Sequence, residues 1–145
     1  MTNKDVYISR DAVRFSILNN EDDYFAKEDK VFKEFIKQIQ NAIDNNVYEN
    51  IFVDATHLNK SSRNKIFYNL DINNNIQEIN LIYLNTPLKI AMERNSKRTG
   101  REYVPESAIK NMYNNLKLPL SEEEPNFNNV YIINIDKPIQ ILNFR

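Results

Sequence analysis

The chain predicts an α/β fold: a three-layer domain with a mostly parallel sheet of about four strands and helices flanking it. Three observations carry this expectation. Apolar, β-prone runs recur along the sequence, DVYIS at 5–9, IFV at 51–53, INLIYL at 79–84 and VYIINI at 130–135, each suited to a strand in a buried sheet. Between them lie segments of helical periodicity, the alternation that βαβ units with right-handed crossovers require. The chain has 145 residues and 41% hydrophobic content, which fits one domain with a core of useful size.

In chain order, Val6 and Ile8 alternate against Tyr7 in the first strand, a period of two. Asp11 then opens a helix, where a carboxylate suits the positive end of the dipole, and Arg14 three residues on shares its face. Residues 19–24 read as a polar, acidic loop. Phe32, Phe35, Ile36, Ile39, Ala42 and Ile43 form an i, i+3, i+4, i+7 stripe, predicting an amphipathic helix over roughly 26–44. The Lys and Glu of its other face read as solvated surface. Asn45 and Asn46 are its stop, because Asn tolerates the left-handed conformation.

Ile51, Phe52 and Val53 then predict a central strand buried on both faces, ending abruptly in Asp54. Asn59 or Ser61 caps a helix through Leu70 that buries Ile66, Phe67 and Leu70. After a turn at 71–75, residues 79–84 predict a third strand, bulky enough to be central. Thr86 and Pro87 form a helix start, an N-cap followed by proline at the first helical position. That helix, 88–98, turns Leu88, Ala91 and Met92 inward. Residues 99–103, with Gly100, are a loop. Pro105 opens a helix to about Leu116 whose stripe is Ile109, Met112, Tyr113 and Leu116. An acidic loop at 119–125 and the strand at 130–135 follow. Residues 137–145, with Ile139, Ile141, Leu142 and Phe144, suit an edge strand or a last helical turn. There is no internal repeat, and the abundant asparagine reads as a trace of AT-rich coding rather than of chemistry.

Composition narrows the function classes. With no cysteine and one histidine, His57, thiolate and multi-histidine metal sites are excluded, and no metal ligand set is expected. His57 itself reads as structural. A net charge of −1 gives no global footprint for nucleic acid, so such binding must come from a local patch. No apolar run is long enough to span a membrane. The first residues, MTNKDVYISR, lack the apolar centre of a secretory signal, and a cytoplasmic setting is expected. One glycine, Gly100, cannot build a phosphate-cradling G-x-x-x-x-G-K-[ST] loop or a three-glycine dinucleotide fingerprint.

Chemistry is expected where three clusters meet at one end of the sheet. These are Asp11 with Arg14 after the first strand, Asp54 with Thr56 and Asn59 after the second, and Arg94, Lys97, Arg98 and Arg101 after the third. Carboxylates facing guanidinium and ammonium groups suit phosphoryl handling. The plainer alternatives stay open: a capping Asp11 paired with Arg14, a capping Asp54, and solvated charge from Arg94 to Arg101, where a helix C-terminus favours cations.

Three segments, ISRDAVRFSIL, VDATHLNKSSR and MERNSKRTGREYVPESAIKNMY, together resemble the polynucleotide 5′-hydroxyl kinase branch of the P-loop kinases, the bacteriophage enzymes in particular. The resemblance runs to about Pro119 and implies a P-loop kinase-like fold. It implies that Asp11 is the general base toward the attacking 5′-hydroxyl and that Arg14 contacts the acceptor strand's phosphate. Asp54 matches the acidic strand tip beside the nucleotide site. Arg98 matches the lid arginine on the donor phosphates, supported by Arg94. Thr56, Asn59, Lys97 and Arg101, taken from the three clusters rather than from the resemblance, complete the candidate substrate-binding set.

In that family a strand and a glycine-rich loop precede the ISRD segment, and here neither does. That loop supplies the amides, the lysine and the Mg²⁺-binding hydroxyl of the donor site. The isolated chain is therefore expected to need no cofactor and to be a kinase-like scaffold rather than an ATP-dependent kinase. It is expected to bind a protein or a single-stranded nucleic acid, as a phage or mobile-element inhibitor of host nucleic-acid machinery. The alternative is the catalytic portion of a polynucleotide 5′-hydroxyl kinase, using ATP and Mg²⁺ once another segment or chain supplies the loop. A small-nucleoside or metabolite kinase relative is a third possibility that the spacing disfavours. The family's missing strand lies between those ending at Asp54 and Leu84. Either those two pair directly, or an open edge accepts the tail at 139–144, a second copy or a partner.

Overall fold

Apolar runs far apart in the sequence come together in pairs. The computed structural model describes residues 4–119, 124–135 and 140–143. β1 (Asp5–Ser9) lies parallel to β2 (Asn50–Asp54), with Val6 opposite Ile51, Ile8 opposite Val53 and Ser9 opposite Asp54. The chain divides into two units, Met1–Thr56 with Lys65–Gln77, and His57–Asn64 with Glu78–Arg145.

In the first unit, α1 (Arg10–Ile17) and α2 (Glu28–Asn45) follow β1, and the second half of α3 (Lys60–Tyr68) returns after β2. The stripe of α2 buries Phe35, Ile39, Ala42 and Ile43 as its spacing requires, while Ile36 and Phe32 are half-buried and Val31 takes the core place expected of Phe32. Val31, Phe35, Ile39, Ala42 and Ile43 are buried with Ile8 of β1, Val13 of α1 and Ile66 of α3. Phe35 and Val31 lose all exposure, worth roughly 1.5–3 kcal/mol each. Val6 and Ile51 pack against this core, so the alternating residues Tyr7 and Phe52 belong to the other face of the pair. Both are exposed. Ser9 caps α1, accepting from the Ala12 amide at 3.4 Å. Asn46 ends α2 in the left-handed region at φ 49°, as its tolerance of that conformation predicts.

In the second unit β3 (Asn80–Asn85) is parallel to β4 (Asn129–Asn134), and β5 (Gln140–Asn143) is antiparallel to β4. Asparagines face one another at both ends of the parallel pair: Asn129 donates to Asn80 at 2.9 Å, and Asn85 to Asn134 at 2.7 Å. Val130 is fully buried, while Ile82 and Leu84, alternating residues of β3, are 53% and 66% exposed. α4 (Leu88–Ser96) packs on α5 (Glu106–Asn115), with a 3-10 turn at Gly100–Glu102 between them. Asn95 is buried and clamps the chain across that turn, donating to the Val104 carbonyl at 2.8 Å and accepting from its amide at 3.0 Å.

The α/β class and the parallel pairings stand, while a single sheet of about four strands is not shown. The strand orders are β1-β2 and β3-β4-β5. Among the described residues β2 pairs only with β1, and β3 only with β4. Within its own unit each of β2 and β3, expected to be central, has one strand partner, and Phe52, Val53, Ile82 and Leu84 are exposed. Apolar content reports what a strand can bury, not which neighbours it has. The part of the tail that is described joins β4 as β5, not β2 or β3. Residues 120–123 of the acidic loop, and Ile139 and Phe144 of the tail, lie outside the described residues.

Two smaller expectations also change. Pro87, not Thr86, is the cap residue of α4, and no side chain caps that end. Tyr113, assigned to the stripe of α5, is 47% exposed. No helix of the described residues is long and apolar enough to cross a membrane.

Candidate functional site

The parallel register of β1 and β2 brings their carboxyl ends level, so Ser9 stands beside Asp54. Asp11 follows Ser9 by two residues, in the first turn of α1. The two carboxylates of the first unit thus belong to one end of one strand pair, where α/β sheets place ligands.

Asp11 is held from two sides. Arg14, one helical turn on, donates from Nη1 to Asp11 Oδ1. The Tyr24 hydroxyl donates to the same oxygen at 2.7 Å. Arg14 Nη1 also donates to the Tyr24 oxygen at 3.0 Å, closing a triangle. No described residue donates to Asp11 Oδ2, and the Asp11 side chain is 58% exposed.

Arg14 is buried, which a guanidinium tolerates only when its donors are taken. Glu28, in the first turn of α2, takes them: Oε1 accepts from Nε at 3.1 Å and from Nη2 at 2.7 Å. Glu28 Oε2 accepts from Arg10 at 2.8 Å. The guanidinium of Arg14 also lies over the Tyr24 ring, 4.4 Å from its centroid, a favourable cation–π contact. So engaged, Arg14 is placed to hold Asp11. Burial, then the hydrogen bond to Asp11 and that carboxylate's charge, push the Tyr24 hydroxyl up to about 12.

Asp54 is exposed and accepts from the Tyr7 hydroxyl through Oδ2. That bond, with some desolvation and the carboxylate's charge, raises the Tyr7 pKa. Thr56 is exposed two residues further on.

The remaining candidates belong to the second unit. Asn59 caps α3: its Oδ1 accepts from the Ser62 amide at 2.9 Å, and Ser62 Oγ donates back to the Asn59 carbonyl at 2.8 Å. Arg94 lies in the last turn of α4, and Arg98 just beyond it, both exposed. Lys97 pairs with Glu93 at 3.1 Å on an exposed helix face, a contact of small energy. Arg101 lies in the 3-10 turn.

The sequence reading missed three participants. Tyr24 sat in what reads as an acidic loop, and Glu28 among residues taken as solvated surface. Tyr7 read only as the outward position of a strand. No spacing in the sequence joins Glu28 to Arg14; the need for an acid follows only once Arg14 is seen to be buried. In the second unit Glu124, from the acidic loop, pairs with Arg63, and both are buried. Arg63 also donates to the His57 carbonyl at 3.0 Å, and His57 takes a left-handed φ of 42°.

Gly100 has φ +58° at the start of the 3-10 turn, and a Cβ added there would meet nothing within 4 Å. No cluster of three or more His, Asp or Glu is placed to hold a metal among the described residues.

The fold and the Asp11 cluster thus define an α/β chain with carboxylates gathered at the end of a parallel strand pair. No family model, curated protein or solved structure matches it.

Proposed function

We propose that these 145 residues form a kinase-like α/β scaffold that receives the 5′-hydroxyl end of a single-stranded nucleic acid at Asp11, without phosphorylating it alone. The observation that supports this reading is the state of Asp11. One carboxylate oxygen is pinned by Arg14 and Tyr24, while the other takes no donor from the described residues. A carboxylate so held accepts a hydroxyl in a short, charge-assisted hydrogen bond, the geometry a general base needs.

Calorimetric titration tests the reading. A short 5′-hydroxyl single strand is expected to give heat, and ATP with Mg²⁺ to give none. Silence from the oligonucleotide would overturn the acceptor assignment. Turnover of that oligonucleotide by these residues alone would overturn the non-catalytic one.

A second reading is favoured by the edges of β2 and β3. Edge strands that carry exposed Phe52, Val53, Ile82 and Leu84 are templates for strand addition. A partner chain or a second copy would complete them. Were the added segment to bring a glycine-rich phosphate loop, the assembly would be an ATP-dependent polynucleotide 5′-hydroxyl kinase with Asp11 as base. Sedimentation that shows one mass at every concentration would count against self-association.

A further inference from the structure

The Tyr24 hydroxyl is used completely. It accepts from Arg14 Nη1 at 3.0 Å, which leaves its own hydrogen to point at Asp11 Oδ1, 2.7 Å away. Its ring is held independently of that bond. Phe25 meets it edge-on at 4.8 Å and Phe15 at 6.1 Å, and the Arg14 guanidinium covers one face. The hydroxyl therefore stays in place by packing and imposes its position on the exposed carboxylate. An aspartate held by Arg14 alone could still swing about that one contact; a second donor on the same oxygen fixes the carboxylate plane.

We infer that Tyr24 is a positioning residue for Asp11: together with Arg14 it pins Oδ1 and leaves Oδ2 presented to an incoming hydroxyl. The inference rests on the acceptor reading above and extends it to a side chain from outside the α1 helix. Glu28 stands behind it, because it orients the guanidinium that both Tyr24 and Asp11 use.

The test compares two strands of equal length, one ending in a 5′-hydroxyl and one in a 5′-deoxy carbon, by fluorescence anisotropy. The wild-type chain is expected to prefer the hydroxyl strand roughly tenfold, the value of one hydrogen bond to a charged acceptor. Asp11→Asn should remove the preference. Tyr24→Phe, which keeps the ring and its packing, should cut it to about twofold.

A second readout needs no ligand. The ring-carbon NMR titration of Tyr24 should fall well above that of an ordinary tyrosine and move down in Asp11→Asn. A wild-type preference that survives Tyr24→Phe in full would overturn the inference while sparing the acceptor reading. No preference in the wild type would overturn the acceptor reading and the inference with it, even with the expected titration. A Tyr24 titration indifferent to Asp11→Asn would show that the bond is absent in solution, and overturn the inference alone.

Discussion

Glu28 grips Arg14 on a single oxygen, accepting Nε at 3.1 Å and Nη2 at 2.7 Å, so an acid on α2 orients a guanidinium on α1. The pair joins two helices and supports Asp11 at the same time. Removing the acid would leave a buried cation with part of its shell gone. Glu28→Ala is expected to cost about 2 kcal/mol, below the usual figure for a fully buried pair because Glu28 is part-exposed and screened. Urea unfolding measures it, and a change under about 0.5 kcal/mol would mean that water replaces the carboxylate.

Arg63 and Glu124 make a pair with almost no exposure on either side. Either partner left alone is an uncompensated buried charge. Arg63→Met and Glu124→Leu should each cost roughly 3–5 kcal/mol, and the double variant much less than their sum. A double-mutant cycle by chemical unfolding reads the difference. Additive costs would show that each side chain acts on its own.

Tyr24 gives the first unit an alkaline dependence whose sign follows from its raised pKa. Its ordinary value is 10.0 and the folded one about 12, so the folded chain keeps the proton longer than the unfolded chain. The stabilisation is complete below pH 10 and is lost as pH rises through the folded value. The melting temperature of the wild type should therefore fall more steeply across that window than that of Tyr24→Phe. Parallel curves would show that the hydroxyl titrates alike in both states.

Asn95 makes both hydrogen bonds of its amide to the Val104 backbone. Asn95→Ala strands a buried donor and a buried acceptor, and is expected to cost roughly 2–4 kcal/mol. Hydrogen exchange at the Val104 amide should accelerate before any global unfolding. Within the loop so closed, Gly100 has φ +58° and open space around it. Gly100→Ala should then cost only its backbone strain, roughly 1 kcal/mol.

Local patterns in the sequence carried the elements well. The α2 stripe from Phe35 to Ile43 buries where its spacing says, and β1 spans the residues that alternate. Pairing was less legible, because an apolar run such as IFV does not state how many neighbours it will have. The site divides the same way. Asp11 and Arg14 share a helix turn, so their meeting is written in a spacing of three. Tyr24 and Glu28 reach them from later segments, a closeness that exists only once α1 and α2 pack. Asn59 shows the converse: a residue singled out for chemistry whose side chain is occupied in capping its own helix.

Four described positions adopt left-handed backbone geometry, and only one, Gly100, is a glycine; the others are Lys27, Asn46 and His57. Asparagine tolerates that geometry, but Lys27 and His57 bear roughly 1–2 kcal/mol of steric crowding each. The native state thus carries built-in tension at the entry to α2 and at the bend after Thr56. Relaxing it at either bend is a route to a hardier protein that leaves the Asp11 triangle intact.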